Sequence, residues 1–242
     1  MRSGARVLAG VRAMSSPGAS LLLLLLLAAD LAFVLLHVNY KLSTNPFAYF
    51  DIEQDGGYAE LYGYIKYLWA IILCACIRSR TGSNGYIAWA LVFTYFLFDD
   101  ALQLHENFGE LVATSIDFRP PFNLATDDVG ELAVSAIVGT FLLAALAWAW
   151  LRGSSTFRNV SKDLAILVLL LVFFGIAADM VHAASAVGGI VSAGLGLVED
   201  AGELVVGSVI LWYLFSLAMR GGKPDLFLHE VLVGNLPLQR SA

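Results

Sequence analysis

Apolar residues run almost unbroken along this chain in blocks close to 20 residues, with short polar stretches between them. Six blocks stand out, at about 20–38, 60–77, 86–106, 130–151, 163–186 and 200–219. A hydrocarbon core about 30 Å thick needs about 20 such residues per helix. The pattern predicts an all-α polytopic membrane protein with six transmembrane helices, forming a single integral membrane domain over residues 1–242. The first block opens with LLLLLLLAA after Arg2, Arg6 and Arg12, as a signal peptide would. It continues through DLAFVLLHV to full membrane length without a small-x-small cleavage site, so it reads as an uncleaved helix.

Composition agrees: 59% of the 242 residues are hydrophobic and 14% are charged, where a soluble domain carries roughly 25% charged residues. Cys74 and Cys76 are two apart in one block, on opposite sides of a helix, and read as small core residues. No P-loop, dinucleotide fingerprint, Ser-His-Asp arrangement or nucleic-acid patch is present.

Charge sets the expected orientation. Eleven of the 14 Lys and Arg fall in the N-terminal segment, the 2–3 and 4–5 loops and the C-terminal tail, which predicts cytoplasmic termini. Only Lys41, Lys66 and Arg119 belong to the opposite half. That half carries 16 of the 20 acids. Asp163 is placed on the cytoplasmic side, and Asp30 lies inside helix 1. An ionised carboxylate in hydrocarbon costs several kcal/mol unless it is paired. So many acids with three cations require protons, water or bound cations as partners.

The acids recur in a pattern. TDDVGEL, from Thr126, returns as VEDAGEL, from Val198, and each copy opens an apolar block. The helix before each copy ends in acids and a histidine: FDDALQLHENFGE contains Asp99, Asp100, His105, Glu106 and Glu110, and ADMVHAAS contains Asp179 and His182. Helices 3–4 and 5–6 therefore read as two parallel copies of one hairpin, closing a four-helix bundle. At about 100° per residue, Asp127, Asp128 and Glu131 share one sector, and Glu199, Asp200 and Glu203 repeat it. His105 falls about 120° from Asp99 if helix 3 stays regular. Either the helix loosens near ENFG or His105 serves another neighbour.

Carboxylates and imidazoles from four helices suit a divalent metal site. Dinuclear bundle sites use single glutamates and acid-x-x-His pairs. The expected metal ligands are Asp99, Asp100, His105, Glu106, Glu131, Asp179, His182 and Glu203, holding one or two ions of iron, manganese or zinc. His105 and Asp100 are the candidate catalytic residues. Lys66 is expected to pair with Asp99 or Asp100. Asp127, Asp128, Glu199 and Asp200 also suit plain capping of helices 4 and 6. His37 joins the site or sits at the interface, and no role is assigned to His229. The aromatic, acidic segment from Asn45 to Trp69 reads as an interfacial loop covering the acids. GGIVSAGLGLVED reads as a mobile connection, and DLFLHEVLVGNLPL as a segment lying on the cytoplasmic surface.

The combination of DGGYAELYGYIKYLW, FDDALQLHENFGE and two copies of [DE]DxGEL resembles uncharacterised six-span membrane proteins of bacterial genomes. The resemblance implies a bacterial inner membrane and transfers no mechanism. Ceramidase-like membrane hydrolases bind zinc through several histidines, and this chain lacks their paired C-terminal histidines. The expected function is a metal-dependent membrane enzyme acting on a lipid-like substrate from the extracytoplasmic side. A proton or divalent-cation transporter using the same acids, or a non-catalytic assembly factor or sensor, fits the same residues. The expected partners are the bilayer, a lipid-like molecule and a metal ion; nucleic acid is excluded.

Overall fold

A computed structural model describes residues 16–115, 126–178, 190–224 and 228–233 of the chain. The described residues are all-α, with no strand among them. Helix α1 covers Pro17–Leu42, α2 Tyr58–Thr81, α3 Gly85–Leu102 and α4 Leu104–Ser115. Helix α5 covers Thr126–Arg152, and α6 covers Ser155–Val172 and continues into a π-helical turn, Phe173–Ala178. Helix α7 covers Ile190–Met219 and α8 Leu228–Val233. Five of these helices (α1, α2, α3, α5 and α7) are long and apolar enough to cross a membrane.

Local chemistry sets the helix ends. Ser16 caps α1 by accepting from the Ala19 amide at 3.2 Å, and Pro17 follows at the first position, where its missing N–H costs nothing. Helix α2 stops at Gly82, whose left-handed φ of 68° lets its amide return to the Arg78 carbonyl. Arg78 and Arg80 sit in that last turn, at the negative end of the helix dipole. Ser154 caps α6 by accepting from the Phe157 amide at 3.2 Å.

Three expected boundaries move. The last span starts at Ile190 rather than near 200, so the glycine-rich GLGLVED stretch is helix and not a mobile connection. Of the two glycines in this stretch, Gly196 is buried against Glu53, whereas Gly194 is exposed. The third span ends at Leu102 rather than at 106. The fifth begins at Ser155, and Arg158, Lys162 and Asp163 make its first half too polar for an ordinary span. Residues 179–186 of that expected span lie outside the described residues.

Helix α7 is the centre of the fold: 67% of its most apolar stretch is buried, and it packs on α1, α2 and α6. Helix α2 sits against both α7 and α3. Helix α5 is peripheral, with 6% of its stretch buried, and holds chiefly to α4 and α3. The core is formed by Tyr86, Trp89 and Phe93 of α3, Phe157 and Leu164 of α6, and Ile210 and Leu214 of α7. Trp89 Nε1 donates to Ser161 Oγ at 3.0 Å and ties α3 to α6.

At the basic end, Asp163 is fully buried in α6. It accepts from Tyr213 Oη at 2.7 Å and from the amides of Leu228 and His229 at 2.8 Å each. His229 Nδ1 lies 2.5 Å from the same carboxylate, so a residue with no expected role helps fix α8 to α6.

Lys66, expected to pair with Asp99 or Asp100, pairs instead with Asp30 of α1. Nζ lies 2.6 Å from Asp30 Oδ1 and also donates to the Leu204 carbonyl at 2.8 Å. Ser208 Oγ donates to Asp30 Oδ2 at 2.6 Å, and the Tyr62 ring lies 4.2 Å from the ammonium. Lys66 and Asp30 are each 2% exposed. One pair thus joins α1, α2 and α7 inside an apolar region, where either charge alone would be very costly. Lys66→Met should cost about 3–5 kcal/mol, measured by unfolding in detergent micelles. Adding Asp30→Leu should restore most of that loss; a neutral Lys66→Met would refute the role given to the pair.

Candidate functional site

Six of the eight expected ligand residues, Asp99, Asp100, His105, Glu106, Glu131 and Glu203, line one cavity of about 740 Å³, bounded by α3–α7, the 1–2 loop and the face of α2 near Glu60 and Tyr67. At one end it is lined by ten acids: Glu53, Asp55, Glu60, Asp99, Asp100, Glu106, Glu131, Glu199, Asp200 and Glu203. His105 is the one imidazole among the described lining residues, and no Lys or Arg is among them. The far end is lined by Leu142, Leu143 and Leu146 of α5 and Val168, Leu169, Leu171 and Val172 of α6.

A break in the backbone gives His105 its place. Gln103 adopts the left-handed conformation (φ 48°, ψ 48°) and separates α3 from α4. Three side chains hold this uncommon geometry. Asp99 Oδ1 accepts from the His105 amide at 3.0 Å, capping α4 from the preceding turn. Asn107 Nδ2 donates to the carbonyls of Leu102 and Gln103, at 3.0 and 2.8 Å, closing the end of α3. Gln103 Nε2 donates to Asp55 Oδ2 at 3.2 Å, which joins the break to the 1–2 loop. The loosening lies three residues before ENFG and turns His105 back toward Asp99, with Nδ1 3.2 Å from Asp99 Oδ2. That contact has ion-pair distance without hydrogen-bond alignment. His105 Nδ1 and Tyr95 Oη are both buried atoms of cavity-lining residues, and neither has a hydrogen-bond partner among the described residues.

Glycines place the two repeated glutamates. A Cβ on Gly109 of α4 would lie 2.6 Å from Glu131 Cγ, and one on Gly175 of the π-helical turn would collide with Glu203 Oε1. The motif glycines also make close contacts: Gly130 meets the Gly109 backbone, and Gly202 meets the Phe174 ring. In each copy the glutamate crosses a glycine of the preceding helix, and that glycine belongs to a Phe-Gly dipeptide, Phe108-Gly109 or Phe174-Gly175. These dipeptides are the sequence signal that pattern reading missed.

The 1–2 loop closes over the acids. Glu53, Gln54 and Asp55 line the cavity, and a Cβ on Gly196 of α7 would lie 2.6 Å from Glu53 Oε1. Lys41 Nζ holds Glu53 at 2.9 Å and Asp51 at 3.2 Å. His37 lies outside the cavity. Its Nδ1 sits 2.9 Å from Asp51 Oδ1 and 3.2 Å from the Ile52 amide, and it serves one partner as donor or the other as acceptor. Tyr64 Oη donates to Glu60 Oε1 at 2.5 Å and to the Asp100 carbonyl at 3.2 Å. A smaller cavity of about 70 Å³ adjoins Glu60, Asp100, Asp200 and Glu203 and reaches Lys66.

The structure thus brings together Asp99, Asp100, His105, Glu106, Glu131, Glu199, Asp200 and Glu203. Asp127 and Glu110 are exposed and do not line the cavity. Asp179, His182 and the side chain of Asp128 lie outside the described residues. Among the described residues no three His, Cys, Asp or Glu side chains converge closely enough to hold a metal ion.

Residues 18–219 match the model of a family described as Domain of unknown function (DUF8692). No curated protein and no solved structure matches the chain.

His105 and Glu106 belong to α4, outside the long apolar helices. The Asp99 carboxylate lifts the His105 pKa from its ordinary 6.5 to about 9, against partial burial and with help from Glu106 and Glu131. Burial raises the Glu106 carboxyl above its usual range, and Asp55 adds to the effect. A histidine raised in the folded state contributes stability fully below about pH 6.5, and loses that contribution as the pH climbs through about 9. Asp99→Asn should return the His105 titration toward 6.5, as read by NMR of the ring, and remove this alkaline loss of stability. An unchanged midpoint in the variant would remove Asp99 as the cause.

Proposed function

The chain belongs to the family described as Domain of unknown function (DUF8692), and we propose that it is a metal-dependent membrane enzyme with a lipid-like substrate. The observation that carries this reading is the cavity, with ten acids and one imidazole at one end, no Lys or Arg among its described lining residues, and an aliphatic opposite end. Like charges crowded in a low dielectric repel strongly and need a counter-charge. Of the two described cations of this half of the chain, Lys66 pairs with Asp30, and Lys41 pairs at the rim with Glu53, one of the ten acids, and with Asp51.

In this reading iron, manganese or zinc, as one or two ions, supplies the positive charge. Glu131, Glu203, Asp99 and Asp100 would be the acids offered to it; no three of them converge at metal-binding distance among the described residues, so this reading needs Asp179 and His182, taken from the sequence pattern, to complete the donor set. A bound metal of this kind lowers the pKa of water and polarises an oxygen of the substrate. The protein contributes the rest. His105 receives or returns a proton beside Asp99, with Asp100 on the same wall, and the aliphatic end holds the apolar part of the substrate away from water. Glu131 and Glu203, each set across a glycine, support reading the two hairpins as parallel copies in a six-span fold. By the distribution of Lys and Arg, both termini are cytoplasmic, and the acidic cavity faces the outside of a bacterial inner membrane.

A second reading, transport of protons or divalent cations, is favoured by the small cavity lined by Glu60, Asp100, Asp200, Glu203 and Lys66, whose ammonium is paired with Asp30. Elemental analysis of the purified protein separates the two. Stoichiometric metal in the native protein, lost in both Glu131→Gln and Glu203→Gln, is the expected result. Metal-free protein that carries pH-dependent ion flux in liposomes would replace the enzyme reading with transport.

A further inference from the structure

The aliphatic end of the cavity does not close on itself. Along α5, the lining runs from Glu131 to Leu146, about 22 Å of helix, which is most of the thickness of a hydrocarbon core. Leu143 of α5 and Leu169 of α6 both line this end, and they are 66% and 67% exposed. Each therefore faces the cavity and the outside of the molecule at once. The two helices that carry them touch only sparsely, whereas α5 packs closely on α4. Helix α5 is long and apolar enough to cross a membrane, and α6 is uninterruptedly apolar from Leu164 on, so that outside is lipid.

We propose that the cavity opens sideways into the bilayer between α5 and α6, and that the hydrocarbon chain of a membrane lipid enters there and places its head among the acids. The occupant is fixed by two arguments. A space lined by Leu and Val does not hold water, so a hydrocarbon chain fills the lower end. Asp55, Glu60, Asp99, Asp100 and Glu106 stand on this wall with no Lys or Arg among its described residues and repel a negative head, so the head is neutral or positively charged. The volume, about 740 Å³, falls within the range of sites for small molecules. The inference rests on the lipid-substrate reading above and adds the route of access and the class of head.

Photolabelling tests it. The full-length protein in phosphatidylcholine vesicles is exposed to two long-chain probes that carry a diazirine near the terminal methyl. One probe has a trimethylammonium head and the other a carboxylate head; crosslinks are mapped by mass spectrometry. The ammonium probe should label the stretches around Leu142–Leu146 and Val168–Val172, about tenfold above the carboxylate probe, a difference of about 1.4 kcal/mol. Leu143→Trp and Leu169→Trp, singly and together, should reduce that labelling. Leu24→Trp, at a remote outward position that is 64% exposed in the native chain, should not. Equal labelling by both probes, labels spread along α1, or no effect of the tryptophans at 143 and 169 would overturn the proposal. Metal content measured on the same preparations keeps the two readings apart. Labelling retained without metal removes the metal reading alone, and metal retained without labelling removes the side opening alone.

Discussion

Lys66 carries a single ammonium group, and Asp30 takes it at 2.6 Å. That contact holds α1, α2 and α7 together where neither charge could stand alone. It also determines the electrostatics of everything beyond it. With Lys66 committed to Asp30, and Lys41 committed to Asp51 and Glu53, the acid-lined wall has no Lys or Arg among its described residues. The apolar interior is thus balanced, and the cavity beside it is lined chiefly by acids at one end.

The second organising feature is the left-handed Gln103. A regular helix through DDALQLHEN would place His105 on a face remote from Asp99. Breaking the helix at Gln103 lets Asp99 cap the new helix through the His105 amide and brings the imidazole to the same carboxylate. One aspartate thereby ends one element, starts the next and sets the charge state of the only imidazole on the described wall. The cost of an uncommon conformation at a residue other than glycine is met by Asp99, Asn107 and Asp55 together.

Much of the fold and part of the site could be read in advance, for clear physical reasons. Membrane-length helices announce themselves through uninterrupted apolar residues, and five of the described helices satisfy that criterion. The duplicated DDVGEL and EDAGEL stretches carried enough helical phase to bring Glu131 and Glu203 to one cavity. What escaped was whatever depends on partners distant in sequence. Nothing local to Lys66 distinguishes Asp30 from Asp99. Nothing in LQL marks a helix break, because the residues that stabilise it are Asp99, four positions earlier, and Asn107, four positions later. Charge placed Asp163 only by its side of the membrane, and its role as the buried anchor of α8 depends on Tyr213, Leu228 and His229, far along the chain. The glycines of the 190s suggested a loose connection, yet they form part of the most buried helix of the fold.

The backbone contact between Gly109 and Gly130 has a mechanical meaning. With no side chain between them, α4 and α5 abut along their main chains and behave as a single rod pair. Helix α5 also packs on α3, and α4 follows α3 across the bend at Gln103. A swing of this pair about that bend would carry Glu131 and His105 as one jaw, keeping their mutual spacing while altering their distance from Glu203 on the opposite side.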